Sequence, residues 1–336
     1  MSDFYTMGIE TSCDDSSVAI LKNDREVLVN LISSQIDIHA LFGGVVPEIA
    51  SRKHLEAINP LIEKALTDTN LNYEDIDLIS VTKGPGLMGS LLVGISAAKG
   101  LSLATGTPLI GANHMQGHIC ANYLSNKDLE PPFISLVVSG GHTYLCKVNS
   151  YTDYEVIGKT LDDAAGESFD KVARKIGLGY PGGPKIDKLA KEGNKDAIDF
   201  PRVMLEKGSY DFSFSGLKTA VLNYAHKIEQ RGEEVNKADL AASFQEAVVD
   251  VLVDKSMMLL KETGLKKFAV SGGVAANSRL KDRLKEECDK EGIKFYHPSI
   301  ILCTDNAAMI AMAGFLNYKN GAVDDNFMKV YPNLEL

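Results

Sequence analysis

An apolar strand that runs into a polar turn and straight back into a second strand occurs twice in this chain. Tyr5 to Glu10 reads as a strand, Thr11-Ser12-Cys13-Asp14-Asp15-Ser16 as its turn and Val18 to Leu21 as the return, with Glu26 to Ile32 as a third strand. Phe133 to Val138, the turn Ser139-Gly140-Gly141 and the return Thr143 to Val148 repeat the layout. Two such openings in 336 residues predict a duplicated α/β chain of about two domains.

Helix and strand patterns fill the rest. Apolar spacing at Ile49, Leu55, Ile58, Ile62 and Leu66 predicts a helix from about Pro47 to Thr67, kinked or split at Pro60. Ile76 to Thr82 is a short buried strand, Gly84-Pro85-Gly86 starts a helix through Ala104, and Leu109 to Ala112 is a strand leading into Asn113-His114-Met115-Gln116-Gly117-His118. Asp162 to Ile176 reads as a helix, Gly177 to Pro184 as a loop and Lys185 to Lys191 as a helix; residues 192–215 read as a polar subdomain surface or lid. Asp239 to Glu262 is one long helix. Lys267 to Val270 leads as a strand into Ser271-Gly272-Gly273-Val274-Ala275-Ala276-Asn277, and a helix follows through Asp289. Ile293 to Tyr296 is a last strand, and the small-residue-rich helix from Asp305 to Phe315 must pack closely against something. No low-complexity linker appears, so the two domains are expected to flank a cleft directly.

Hydrophobic residues at 45% and charged residues at 24% suit a soluble folded protein. The formal net charge of −10 gives no bulk support for nucleic-acid binding, which shows a basic footprint; a local patch or a partner can still supply one. Cys13, Cys120, Cys146, Cys288 and Cys303 are odd in number and contain no Cys-x-x-Cys, which predicts a reduced, intracellular protein; Cys13 and Cys303 read best as inert buried thiols. No signal peptide is expected from the N-terminus. The window Gly86 to Ala104, broken by Ser90, Ser96 and Lys99, reads as a buried helix too polar for a membrane span. The expected address is the cytoplasm, with no membrane partner.

His114 and His118, four residues apart, share one face if their segment is helical, and two imidazoles with a carboxylate make a metal site. From spacing alone, a pair of surface or capping histidines is as good a reading. Met115 stands where His-Glu-x-x-His needs its glutamate, so this is not that protease motif. Asp305 is the best third ligand, its ordinary role being the N-cap of the helix from Asn306. Ser139-Gly140-Gly141-His142-Thr143 and Ser271-Gly272-Gly273 follow apolar strands, where bare backbone N–H groups suit an anion, although either is also an ordinary turn. Asn277 can bind a ligand or cap the backbone. Glu10, Asp14 and Asp15 can hold a metal–phosphate or polarise water, or simply cap a hairpin. Asp170 and Asp187 bracket the glycine-rich loop and suit ligand hydroxyls, or are solvated carboxylates; Lys83 and Lys185 can offset phosphate charge, or are solvated.

Asn113-His114-Met115-Gln116-Gly117-His118, Val138-Ser139-Gly140-Gly141-His142-Thr143, Tyr180-Pro181-Gly182-Gly183-Pro184 and Ser271-Gly272-Gly273-Val274-Ala275-Ala276-Asn277 together resemble the TsaD family of tRNA N6-adenosine threonylcarbamoyltransferases, once described as O-sialoglycoprotein endopeptidases. The resemblance runs from about Met7 to Ala313. It implies a duplicated two-domain actin-like ATPase (ASKHA) fold with a central cleft. Residues 1–118 plus 311–336 would form the first domain, and 119–310 the second, with an inserted helical and loop region at about 160–235. It implies transfer of the threonylcarbamoyl group of threonylcarbamoyl-AMP to N6 of adenosine 37 in tRNAs reading ANN codons, forming t6A and releasing AMP. By the same resemblance His114, His118 and Asp305 hold one divalent metal per subunit, Fe2+ or Zn2+. Val138, Ser139, Gly140, Gly141 and His142 line the substrate, and Asp170, Gly183, Asp187 and Asn277 contact its nucleotide part. The general base is left open; Glu10, Asp14 and Asp15 are the catalytic candidates. ATP, ADP and Mg2+ stay open as further ligands.

The implied partners are tRNA, an inactive paralogue, TsaB, and a small P-loop ATPase, TsaE. Ile49 to Leu66 is a candidate docking face for the paralogue and equally a core stripe. Arg174, Lys175, Lys185, Lys188 and Arg202, within Lys171 to Lys218, are a candidate local patch for tRNA, or an ordinary solvated face. Gln116 replaces a glutamate frequent in the family, at a position that is not a ligand. Three other readings compete. A small-molecule kinase of the same fold needs no histidine pair; a metalloprotease lacks its glutamate here; a non-enzymatic assembly subunit has no use for the full ligand set.

Overall fold

The structure, a computed structural model, describes residues 3–204 and 208–336. In chain order it runs β1 (Tyr5–Glu10), β2 (Asp15–Lys22), β3 (Glu26–Ser34), α1 (Ile36–Ala40), α2 (Pro47–Thr69), β4 (Leu78–Gly84), α3 (Met88–Thr105), β5 (Leu109–Asn113) and α4 (His114–Ser125). Next come β6 (Phe133–Val138), β7 (Thr143–Val148), β8 (Tyr154–Lys159), α5 (Ala165–Lys175), α6 (Gly182–Ala190), α7 (Ser215–Gln230) and α8 (Lys237–Thr263). The chain closes with β9 (Lys267–Ser271), α9 (Ser278–Lys290), β10 (Lys294–Tyr296), α10 (Ile300–Cys303) and α11 (Ala307–Lys319).

The duplication is visible in the strand order. One sheet runs β3-β2-β1-β4-β5, the other β8-β7-β6-β9-β10. Each opens as an antiparallel meander, and each adds two parallel strands beside the meander's first strand. This is the duplicated actin-like α/β arrangement. One compact unit holds Met1–Glu130, Ser150–Asp153 and Pro298–Leu336; the other holds Pro131–Asn149 and Tyr154–His297. Segments 119–130 and 298–310, expected in the second domain, thus belong with the first. The reason is local: α4 runs unbroken through residue 118, and α11 packs on α4 and β1.

In the first unit the strand period of two sends alternate side chains to opposite faces. Met7, Ile9, Val18 and Ile20 join Ile58, Ile62 and Leu66 of α2 and Ile95 and Ala98 of α3 in one core. Gly8 faces the other way, under α11, where an added Cβ would press on the Ala307 carbonyl and lie 2.8 Å from the Ala311 nitrogen. The small-residue helix anticipated in the sequence therefore packs directly on strand backbone. Gly8→Ala is expected to cost about 3 kcal/mol by overpacking, read as a melting temperature lowered by roughly 6–10 °C.

Several sequence expectations change. Pro60 sits inside one continuous α2, which is not split into two elements; Pro60 and Glu56, whose carbonyl loses its helical partner, are both exposed, so water can satisfy that oxygen. Helix α6 starts at Gly182 rather than after Pro184, because a first-turn proline gives up an N–H that has no helical partner anyway. Strand β8 and helix α7 were not anticipated. The polar stretch 192–215, apart from residues 205–207, which lie outside the described residues, is pinned along α8 rather than free as a lid. Asp239 accepts from Asn194 N (2.7 Å), and the buried Lys255 ammonium donates to the carbonyls of Met204 (3.0 Å) and Ser209 (2.8 Å). Helix α3 is long and apolar enough to cross a membrane by length and composition, contrary to the expectation; it lies against β4 and α2 with Leu91, Ile95 and Ala98 buried.

Candidate functional site

The histidine segment is helical from its first histidine. Asn113 caps α4, its side-chain oxygen accepting from Met115 N (2.8 Å) and Gln116 N (3.3 Å), so His114 and His118 stand one turn apart on one face. Their rings meet edge to face, centroids 4.7 Å apart. Asp305 Oδ1 lies 3.4 Å from Nε2 of both rings, and the ligand atoms of all three residues fall within 4.8 Å of one another. Asp305 is free to do this because Asn306, not Asp305, caps α11, accepting from Met309 N at 3.1 Å.

The donor set fits a divalent metal. His118 is fully buried, yet neither ring nitrogen has a hydrogen-bond partner among the described residues. Buried polar atoms are normally paired, and an unpaired buried imidazole beside a carboxylate calls for an ion. Burial holds the His118 ring below its usual pKa despite Asp305. Burial opposes the charge on Asp305 as well, but the two histidines outweigh it and keep that carboxyl far below the carboxylate range.

Behind His114 sits Glu10, at the end of β1 on the same face as Gly8. Glu10 Oε2 accepts from His114 Nδ1 (2.9 Å) and Thr82 Oγ1 (2.7 Å), and Oε1 from Ser12 N. Because a carboxylate can only accept, Nδ1 carries the proton, which leaves Nε2 as the atom that would bind a metal; burial opposes a charge on this ring, but Asp305 and Glu10 outweigh it and raise its pKa well above the usual value. Burial pushes the Glu10 carboxyl up, His114 pulls it down further, and the net shift is downward. Both Glu10 oxygens are thus committed. Thr82, its second partner, lies near the end of β4 and gave no sequence signal.

The two aspartates of the hairpin differ from Glu10. Burial raises Asp14, and Asp305 adds to the rise. Burial likewise lifts Asp15 to about 7, against a hydrogen bond from Ser34. One Asp15 oxygen is buried without a partner. Strand alternation places Asp15 on the face of Ser17, whose Oγ accepts from Ala307 N (2.9 Å) at the start of α11.

The second unit gathers the other expected residues. The turns after β6 and β9, parallel neighbours, lie side by side: Gly272, at φ +90°, has Val138 O and Ser139 N where a side chain would be. Ser139 N donates to His142 O (2.9 Å) and its Oγ accepts from His142 N (3.2 Å), closing the turn, while Gly140, Gly141 and Gly183 border open space. Asp170 accepts from Gly182 N (2.6 Å) at the start of α6. Asp187 accepts from Ser278 Oγ (2.8 Å), and Asn277 caps α9 through Leu280 N (3.0 Å) while donating to Gln245 (2.7 Å). Neither lysine offered for phosphate is unpaired: Lys83 lies 3.6 Å from Asp324, and Lys185 holds the carbonyls of Leu178 and Tyr180. In the basic stretch, Lys175 pairs with Glu229, and Arg202 with Asp250 and Asp199.

The family profile "TsaD: tRNA N6-adenosine threonylcarbamoyltransferase" matches residues 26–312. The chain is 58% identical over 330 residues to the tRNA N6-adenosine threonylcarbamoyltransferase of Clostridium beijerinckii, covering 98% of this chain and 97% of that protein. It is equally 58% identical over 330 residues to the protein of the same name from Clostridium perfringens, with 98% and 97% covered. Among solved structures it resembles the activator of the 2-hydroxyisocaproyl-CoA dehydratase from Clostridium difficile with bound ADPNP (TM-score 0.55, 16% identity, 95% of this chain and 97% of that one). It also resembles full-length HypF in its phosphate- and nucleotide-bound form (TM-score 0.63, 16% identity, 94% of this chain), of which it spans 46%. At such identities the structural likeness speaks for the fold alone. The sequence match is of another order, and on it the chain belongs to the TsaD family of tRNA N6-adenosine threonylcarbamoyltransferases.

Proposed function

We propose that this transferase moves the threonylcarbamoyl group of threonylcarbamoyl-AMP to N6 of adenosine 37 in tRNAs reading ANN codons, forming t6A and releasing AMP. The observation that carries the reading is the complete His114–His118–Asp305 cluster, in which the buried His118 ring has no hydrogen bond among the described residues. N6 forms a bond to the carbamoyl carbon, the bond from that carbon to the phosphate oxygen breaks, AMP leaves with the electron pair, and N6 gives up a proton. Asp15 takes that proton in this reading, since Glu10 has no free oxygen and Asp15 has one and titrates near 7. Val138 to His142, Asp170, Gly183, Asp187 and Asn277 bind the nucleotide part, with the Gly140, Gly141 and Gly183 backbone open to it.

His114, His118 and Asp305 would hold Fe2+ or Zn2+, whose positive charge stabilises negative charge developing on oxygen. Glu10 orients His114 for this. Glu10→Gln places an amide N–H against either Ser12 N–H or His114 Nδ1–H, and the second arrangement forces the wrong tautomer. Metal affinity is expected to fall about 10–100-fold, measured by competition with a chelator; unchanged affinity removes Glu10 from this role.

Lys175 and Arg202 of the 171–218 stretch are paired with carboxylates, and the chain's net charge is −10, which supports a grip on tRNA shared with TsaB and TsaE in the cytoplasm. Ile58, Ile62 and Leu66 of the expected docking stripe are core, so Leu55, Met88, Leu92 and Leu103 are the open apolar side chains that α2 and α3 offer the paralogue. Depletion of the protein, with digestion of tRNA and mass spectrometry of its nucleosides, tests the function. Loss of t6A with other modified nucleosides unchanged is expected; persistent t6A in a host without a second such enzyme ends the reading.

A further inference from the structure

His54, on α2, is fully buried and takes no part in the chemistry above. Both its ring nitrogens are nonetheless engaged, and with one turn. Nε2 lies 2.9 Å from Cys13 O, and Nδ1 lies 2.7 Å from Ser16 Oγ. A carbonyl cannot donate, so Nε2 carries the proton and Nδ1 accepts from the Ser16 hydroxyl. One ring therefore grips both ends of the span Cys13–Ser16, whose middle is Asp14-Asp15. The strand alternation that turns Ser16 toward α2 turns Asp15 to the opposite face. The start of α3 holds the same turn: Leu87 N donates to Ser12 O (2.7 Å), Ser90 Oγ to Cys13 O (3.3 Å), and Thr11 Oγ1 to Ser90 O (2.8 Å). Packing alone asks only for an aliphatic residue at position 54. A histidine with both nitrogens on one turn does something packing does not require.

We propose that His54 is a positioning residue for the transfer reaction, fixing the Cys13–Ser16 segment from behind so that Asp15 is presented at a set place on the other face. The inference rests on the reading that this hairpin serves the chemistry. It predicts a defect in turnover rather than in binding, because the hairpin backbone and not a substrate contact is disturbed.

The test is steady-state kinetics of the full chain, reconstituted with threonylcarbamoyl-AMP, its partner proteins and unmodified tRNA, on Asp15→Asn, His54→Leu, His54→Gln and Ser16→Ala. His54→Leu loses both bonds and is expected to lower kcat about 30-fold, as a displaced catalytic group does, with KM for tRNA and bound metal unchanged. His54→Gln keeps an N–H for Cys13 O and is expected to recover most of that loss. Ser16→Ala removes one bond and is expected to cost about threefold. Should His54→Leu fail to fold, His54→Gln and Ser16→Ala decide the question, and full activity in both overturns the proposal. An inactive Asp15→Asn beside a fully active His54→Leu overturns the positioning role alone. A fully active Asp15→Asn removes the reading of the hairpin and the inference with it.

Discussion

His118→Ala is expected to strip the protein of its metal and to lower t6A formation by about 10³-fold or more, the several kcal/mol a bound cation contributes to a developing charge. The ring is fully buried, sits 3.4 Å from Asp305, and neither of its nitrogens has a hydrogen-bond partner among the described residues. A residue kept for packing would be an aliphatic one, and a residue kept for a protein partner would have one. Metal binding also stabilises the fold by mass action, about 4 kcal/mol when the free metal exceeds its dissociation constant a thousandfold. Chelator should therefore lower the melting temperature of the parent protein and leave that of His118→Ala where it was. Metal analysis of the purified proteins, melting curves with and without chelator, and t6A assays give three readouts. A parent protein indifferent to chelator in both melting and turnover would end the metal reading.

Asp15→Asn is the second large effect, about 10²–10⁴-fold in rate for a lost general base. Burial raises the Asp15 carboxyl from its ordinary value to about 7, so the parent rate should climb as pH rises through 7 and the variant should lack that limb. The stability sign runs the other way. A carboxyl whose folded pKa is raised binds extra protons in the folded state between roughly pH 4 and 7, so its favourable contribution is complete at low pH and is lost as pH rises through 7. At pH 8 the buried charge costs about 2 kcal/mol after allowance for partial exposure. Chelated Asp15→Asn should thus melt about 5 °C above the chelated parent at pH 8, with the gap closing as pH falls to about 4. A variant that is both slower and no more stable at pH 8 would place Asp15 elsewhere than in this buried, half-protonated state.

Much of the fold could be read from residues because the strands alternate or run apolar and the helices carry apolar spacing. The four-residue step from His114 to His118 was enough to put both rings on one face once Asn113 started the helix. What stayed hidden has physical causes. Strand β8 is a partly exposed edge with no regular apolar alternation. Helix α7 buries little beyond Leu217, Val221 and Ala225, a stripe too narrow to stand out. Helix α6 hid behind Gly182-Gly183-Pro184, which reads as a loop until Asp170 is seen holding its first N–H. Glu10 looked like one more hairpin acid; only its place on the face of Gly8, under His114, separates it from Asp14 and Asp15. His54 gave no signal at all, since nothing nearby in sequence shows which turn its nitrogens reach.

The matching sheets have a consequence for descent. If the halves arose by copying one ancestral segment, the loops Thr11–Asp14, with Asp15 just beyond it, and Ser139–His142 began as the same loop, for both join the first and second strands of the same five-stranded order. They have since parted by polarity. One copy now presents carboxylates, which attract cations and protons; the other presents bare peptide N–H groups, which attract oxygen anions. Each copy is then free to mutate only within its own half of that bargain, and a chimera carrying the same loop twice would retain one affinity and forfeit the other.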